Sequence, residues 1–142
     1  WSEEADLNDG RRQASSGGGV TAAMLCGGAE GSPPTVPTQT ETYNGTSWTE
    51  VGNLNTGRGY LTGGGESDDA ITFGGGPPIL DKTEKWNGTS WTEVANMTTA
   101  SETSFGTMPG AGSLTYRART PGTGITEEWD NSPAVVKTVT VS

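Results

Sequence analysis

The chain has 142 residues, of which 30% are hydrophobic, with 23 Gly, 8 Pro and a formal net charge of −9. That charge repels a phosphate backbone, and the eight Lys and Arg form no run beyond Arg11-Arg12, so no nucleic acid is expected as a partner. No His is present and Cys26 is the single cysteine, which excludes Ser-His-Asp and Cys-His catalysis, the zinc chemistry that recruits imidazole, and an intrachain disulfide.

Taken from the N-terminus, the segment WSEEADL opens on a Trp that returns twice. Counting from Trp1, Leu7 lies six residues on, Arg11 ten and Cys26 twenty-five; the same offsets from Trp48 give Leu54, Arg58 and Phe73, and from Trp91 they give Met97, Ser101 and Tyr116. YNGTSW at 43–48 returns as WNGTSW at 86–91, and the aromatics Tyr43, Trp86 and Trp129 are each 43 residues apart. That period is too long for a helix or strand and fits the supersecondary unit of a repeat protein. Between Trp1 and Trp48 the interval is 47, which places about four extra residues in GSPPTVPTQ. One domain over 1–142 is expected: a final strand and link of a preceding unit at 1–10, a first repeat at 11–57, a second at 58–100 and a degenerate one at 101–142.

Each copy divides into four short β segments. In the second these are GYLTGG (59–64), AITFGGG (70–76), TEKW (83–86) and SWTEV (90–94), separated by Gly, Pro, Asn or Asp clusters. No segment carries a helical period. The Asn-Gly pairs at 44–45 and 87–88 predict type I′ turns, making segments three and four adjacent antiparallel strands. Four antiparallel strands at this period form a β-propeller blade, so the expected fold is all-β, with three four-stranded repeats and a leading strand. Closure typically needs four to eight blades, so the chain is expected to be part of a larger propeller or to assemble with other copies of itself. The start inside a blade, at a Trp and without Met, favours a missing N-terminal part of a longer chain.

The repeat resembles the Kelch type: an apolar run ending in a glycine doublet, then an aromatic, then a Trp five residues later. MLCGG (24–28) with Tyr43 and Trp48 fits it, as does ITFGG (71–75) with Trp86 and Trp91, and Arg11 and Arg58 stand at the opening of the first strand. The third copy departs, with Arg117-Ala118 at the doublet, Ser101 at the Arg position and VVKTVTVS (135–142) in place of SWTEV, as a terminal repeat can. The phrases NGTSWTEV, LNTGR, FGGG and KTVTVS are also similar to Kelch-like repeat proteins of marine bacteriophages, often assigned to tail fibres. That resemblance implies a structural protein of a phage virion, or an extracellular one.

The resemblance and the spacing assign a structural core: Trp1, Trp48, Trp91, Tyr43, Trp86 and Trp129 between blades, with Gly27, Gly28, Gly74 and Gly75 where backbones of stacked sheets approach closely. Glu66, Asp68 and Asp69 crowd oxygen ligands into one turn, but their spacing matches no calcium loop and reads as a solvated hairpin tip. Asn44, Asn87 and Asn96 begin N-x-S/T sequences; the first two read as turn residues rather than glycan acceptors. No cofactor is expected.

The loop between segments three and four is nearly constant, whereas the loop between segments two and three reads AEGSPPTVPTQT, then GPPILDK, then RTPGTGI. Variable, Pro-stiffened loops on a repeated scaffold are where a binding surface belongs. The candidates are Glu30, Pro33, Pro34, Thr35 and Pro37 in the first loop, Pro77, Pro78 and Asp81 in the second, and Arg119 and Pro121 in the third. The expected function is non-enzymatic host recognition by a tail fibre, through a surface glycan or protein. The alternatives are a carboxylate-dependent glycan hydrolase or depolymerase, and a secreted or cellular Kelch-type interaction scaffold. Neither a membrane-spanning stretch nor a signal peptide is found in the sequence.

Overall fold

The computed structural model describes residues 3–102 together with the strand segments 105–107, 114–117, 125–129 and 137–140. Within them the chain is all-β, and no helix is long and apolar enough to cross a membrane. The described strands are β1 (Ser15–Gly19), β2 (Ala22–Cys26), β3 (Thr40–Tyr43), β4 (Trp48–Glu50), β5 (Thr62–Gly65), β6 (Ala70–Phe73), β7 (Thr83–Trp86), β8 (Trp91–Glu93), β9 (Phe105–Thr107), β10 (Leu114–Arg117), β11 (Ile125–Trp129) and β12 (Lys137–Thr140). They make three four-stranded antiparallel sheets among the described residues, β1-β2-β3-β4, β5-β6-β7-β8 and β9-β10-β11-β12. Each sheet is a meander of sequential strands, because short connections leave antiparallel neighbours as the simplest pairing.

The first strands converge: β1 lies beside β5, and β5 beside β9. These strands are glycine-rich, SSGGG in β1 and TGGG in β5, and the reason is distance. A Cβ added at Gly17 would lie 2.4 Å from the Gly65 carbonyl oxygen. Away from this line the sheets separate and side chains fill the gap. Met24, Cys26, Leu54, Leu61, Trp86 and Trp91 pack between the first two sheets, while Ile71, Phe73 and Met97 pack toward the third. Consequently all four residues of β6 are buried, whereas β2 alternates and buries fully only Met24 and Cys26. Among the described residues the middle sheet is covered on both faces and the first on one.

Three expectations need correction. The segment 3–10 forms no strand; instead it caps the first sheet through Asn8, whose backbone N–H donates to Glu41 Oε2 at 2.9 Å. The segment 59–64 is not one continuous strand, because Tyr60 sits at φ 55°, as Gln13 does at φ 57° in the preceding repeat. A left-handed residue breaks strand geometry, so pairing shrinks to a bridge between Gly59 and Gly76 before β5 begins at Thr62.

The Asn-Gly turns are also not two-residue I′ turns. Tyr43 pairs with Trp48 and Trp86 with Trp91, leaving four residues in each loop. Asn44 Oδ1 accepts from the N–H of Thr46 and Ser47, each at 3.0 Å, and Asn87 Oδ1 does the same for Thr89 and Ser90. The side chain closes the loop as an Asx turn, and the left-handed position falls on Gly45 and Gly88.

Candidate functional site

The meander sends the β2–β3 and β6–β7 loops to one end of the molecule and the Asn-Gly loops to the other. At the first end, the loops are closed at their base by Gly27 N–H donating to the Gln39 carbonyl and Gly74 N–H to the Lys82 carbonyl, both at 2.9 Å. Next to them the doublets bind the following link: Gly28 N–H donates to the Arg58 carbonyl at 3.0 Å, and Gly75 N–H to the Ser101 carbonyl at 2.8 Å. No other residue fits here. A Cβ at Gly27 would lie 2.6 Å from the Arg58 oxygen and one at Gly74 2.4 Å from that of Ser101, and both glycines have positive φ.

The first loop folds back on itself, with Glu30 and Thr35 exchanging backbone hydrogen bonds of 3.0 and 2.9 Å, so that Pro33, Pro34 and Thr35 are presented to solvent. Arg12 Nη2 donates to the Gly31 carbonyl at 3.0 Å and ties the tip to the inner link. In the second loop Pro77 and Pro78 are exposed, with Ile79, 54% exposed, beside them. Glu30, Pro37 and Asp81 are only half-exposed; Asp81 accepts the Met97 N–H at 2.9 Å through its backbone carbonyl. The sequence reading passed over Ile79, although an aliphatic residue directly after two prolines in a loop was a usable signal. Arg119 and Pro121 lie outside the described residues, as does Trp1.

Beneath the loops lies a buried charge network that sequence reasoning missed. Glu41 in β3 and Glu84 in β7 are each 1% exposed. Arg11 Nη2 pairs with Glu41 Oε1, and Arg58 Nη2 with Glu84 Oε1 at 3.1 Å, all four side chains being almost wholly covered. The other terminal guanidinium nitrogen donates to the carbonyl just before the strand, two residues ahead of the carboxylate, Gln39 at 3.0 Å and Lys82 at 2.8 Å. The second carboxylate oxygen accepts both the backbone and side-chain N–H of an Asn, Asn8 for Glu41 and Asn55 for Glu84. Burial opposes ionisation of Glu41, but the Asn8 and Arg11 donors outweigh it and hold the carboxyl below its ordinary range. Burial likewise lowers the Arg58 pKa, against the attraction of Glu84.

The acidic tip stands at the opposite end. Glu66 N–H donates to the Asp69 carbonyl at 2.9 Å, Asp69 pairs with Lys85 at 3.3 Å, and the Ser67 carbonyl accepts from Trp86 Nε1 at 2.9 Å. Among the described residues no group of three or more His, Cys, Asp or Glu side chains converges as a metal site would require. Cys26 is buried and its thiol is pushed up to about 12 by burial, which leaves it protonated and a poor nucleophile.

The tryptophans differ in their surroundings. Trp86 and Trp91 are 1% and 5% exposed, and Trp91 Nε1 donates to Thr40 Oγ1 of the first sheet at 2.9 Å. Tyr43 and Trp48 form the matching pair in the first sheet, with ring centroids 5.2 Å apart, yet both are only half-buried, because no sheet covers that face among the described residues. Trp129 is half-buried under Lys85, whose Nζ lies 5.7 Å from its ring centroid. No protein-family model matches the chain, and no curated protein matches it either.

Proposed function

We propose that the chain is a non-enzymatic recognition module whose sheets are the blades of a larger or oligomeric Kelch-like propeller, carried on a phage tail fibre and contacting a host-surface glycan or protein. The observation that carries this reading is the pairing of a fixed base with changing tips. The same glycine-doublet hydrogen bonds close the first two loops, while the residues they present change from Ser32-Pro33-Pro34 to Pro77-Pro78-Ile79. A rigid base and Pro-stiffened tips lose little entropy on binding, and exposed apolar groups beside polar ones suit a saccharide or protein surface. The half-buried Tyr43–Trp48 face supports the assembly part of the proposal, since its counterpart in the second sheet is covered by a neighbouring sheet.

The test is a glycan array and a host-envelope pull-down with the chain and a variant in which 31–34 is replaced by Asn-Gly. Glu30 and Thr35 already pair, so a two-residue hairpin can close there without disturbing the base. Binding lost in the variant at unchanged thermal midpoint is expected. No binding by the parent chain, or binding indifferent to the replacement, would remove recognition and leave a scaffold. Release of oligosaccharide from host polysaccharide, abolished by neutralising Glu66, Asp68 or Asp69, would overturn the non-enzymatic assignment.

A further inference from the structure

The buried network repeats a third time, with Thr98 in the place of the asparagine and without the arginine. Glu41, Glu84 and Glu127 are 43 residues apart in the third strands of their sheets. Glu127 is 1% exposed, and its Oε2 accepts the Thr98 backbone N–H at 2.8 Å, just as Oε2 of Glu84 accepts that of Asn55. The position of Arg11 and Arg58 is occupied by Ser101. Its backbone has not moved away: the Ser101 carbonyl takes the Gly75 N–H at 2.8 Å, as the Arg58 carbonyl takes that of Gly28 at 3.0 Å. The chain therefore passes the third carboxylate as it passes the second, without the guanidinium. Ser101 Oγ donates to the adjacent Glu102 carbonyl at 3.3 Å. Glu127 Oε1, the oxygen equivalent to the one Arg58 holds, has no hydrogen-bond partner among the described residues.

A buried carboxylate oxygen without a donor is costly, and in the two complete copies a planar cation relieves the cost. That cation uses a fork: one nitrogen on the carboxylate, the other on the backbone carbonyl of Lys82, whose place Ile125 takes in the third sheet. A guanidinium matches this two-point arrangement, and a single ammonium does not. We propose that Glu127 and the place left by Ser101 form a receptor for an external guanidinium group, that of an arginine side chain or of a small guanidino compound. The net charge of −9 favours arrival of a cation. This inference does not depend on the recognition function proposed above.

The experiment uses the 142-residue chain and millimolar methylguanidinium, with methylammonium at equal ionic strength as control, read by thermal midpoint and calorimetric titration. Saturable binding specific to methylguanidinium, with a midpoint rise of about 3 °C or more, is expected. Ser101→Arg should raise the midpoint in buffer alone and abolish the response. Glu127→Gln should abolish it as well, which keeps the test sound if Ser101→Arg fails to fold. Arg58→Ser recreates the same gap in the second sheet and should gain a second response. An acetyl-Gly-Arg-Gly amide separates the sources: binding of the peptide points to an arginine side chain, and binding of methylguanidinium alone to a small molecule. Absence of a response in the parent chain overturns the proposal whatever Arg58→Ser does, and so does a response that survives both Ser101→Arg and Glu127→Gln.

Discussion

The first and second sheets share the sequence NGTSWTEV and end in different environments. In the second, Trp91 is 5% exposed and anchored to Thr40; in the first, Trp48 is half-buried with the same turn, strand and aromatic partner position. Among the described residues the difference follows the neighbour, since the first sheet covers Trp91 and no sheet covers Trp48. A blade-like unit of this kind has two faces to bury and can cover neither by itself, so the energetic worth of a residue is set by its place in the stack as much as by its identity.

Replacing one Trp in each sheet tests that contrast at its largest. Trp91→Ala should destabilise by about 3–5 kcal/mol, as removal of a fully packed large side chain does, whereas Trp48→Ala should cost about 1–2 kcal/mol at half the burial. Denaturant midpoints at constant m-value would measure both, and equal losses would break the comparison. Arg58→Ala should be comparably severe, at about 3–5 kcal/mol, because it strands the buried Glu84 carboxylate.

Acid should expose the first network. The Glu41 carboxyl lies below its ordinary value of 4.5 in the folded chain, so its stabilisation is complete above that pH and is lost as pH falls through the lowered native value. Chemical denaturation across this range should show a loss that Glu41→Gln flattens; an unchanged slope would mean that the Asn8 and Arg11 donors do not favour the ionised form.

Smaller effects belong to the turns and rims. Asn44→Ala removes an oxygen that accepts two backbone N–H groups and should cost about 1 kcal/mol, with Asn87→Ala the same, since these loops are alike in both sheets. Pro78→Ala and Lys82→Ala should each cost well under about 1 kcal/mol, the first an exposed loop residue and the second half of an exposed pair with Glu93.

The 43-residue period and the glycine doublets made the sheets legible, because turn residues and aromatics recur at fixed offsets. Glu41, Glu84 and Glu127 keep the same period and were still passed over, since an acidic residue in a four-residue strand reads as solvent-facing. The signal was the joint recurrence of Asn8 and Asn55, Arg11 and Arg58, and the glutamates: three polar types repeating together in a chain whose loops between the second and third strands vary freely. The Asn-Gly pairs misled for another reason. That dipeptide suits both a I′ turn and an Asx-closed four-residue loop, and only the pairing of Tyr43 with Trp48 distinguishes them. The half-burial of Trp48 could not be read from its repeat position at all, because exposure depends on what covers the sheet.

The most direct test of a neighbour-defined core is a double-mutant cycle on the contact that joins the two sheets, Trp91 Nε1 to Thr40 Oγ1. Trp91→Phe and Thr40→Val, alone and together, should show a coupling of about 1 kcal/mol, while Trp48→Phe with Thr83→Val, the same residue types each moved by one repeat in opposite directions, should show none. A coupling near zero in the first cycle, or equal coupling in both, would contradict the account.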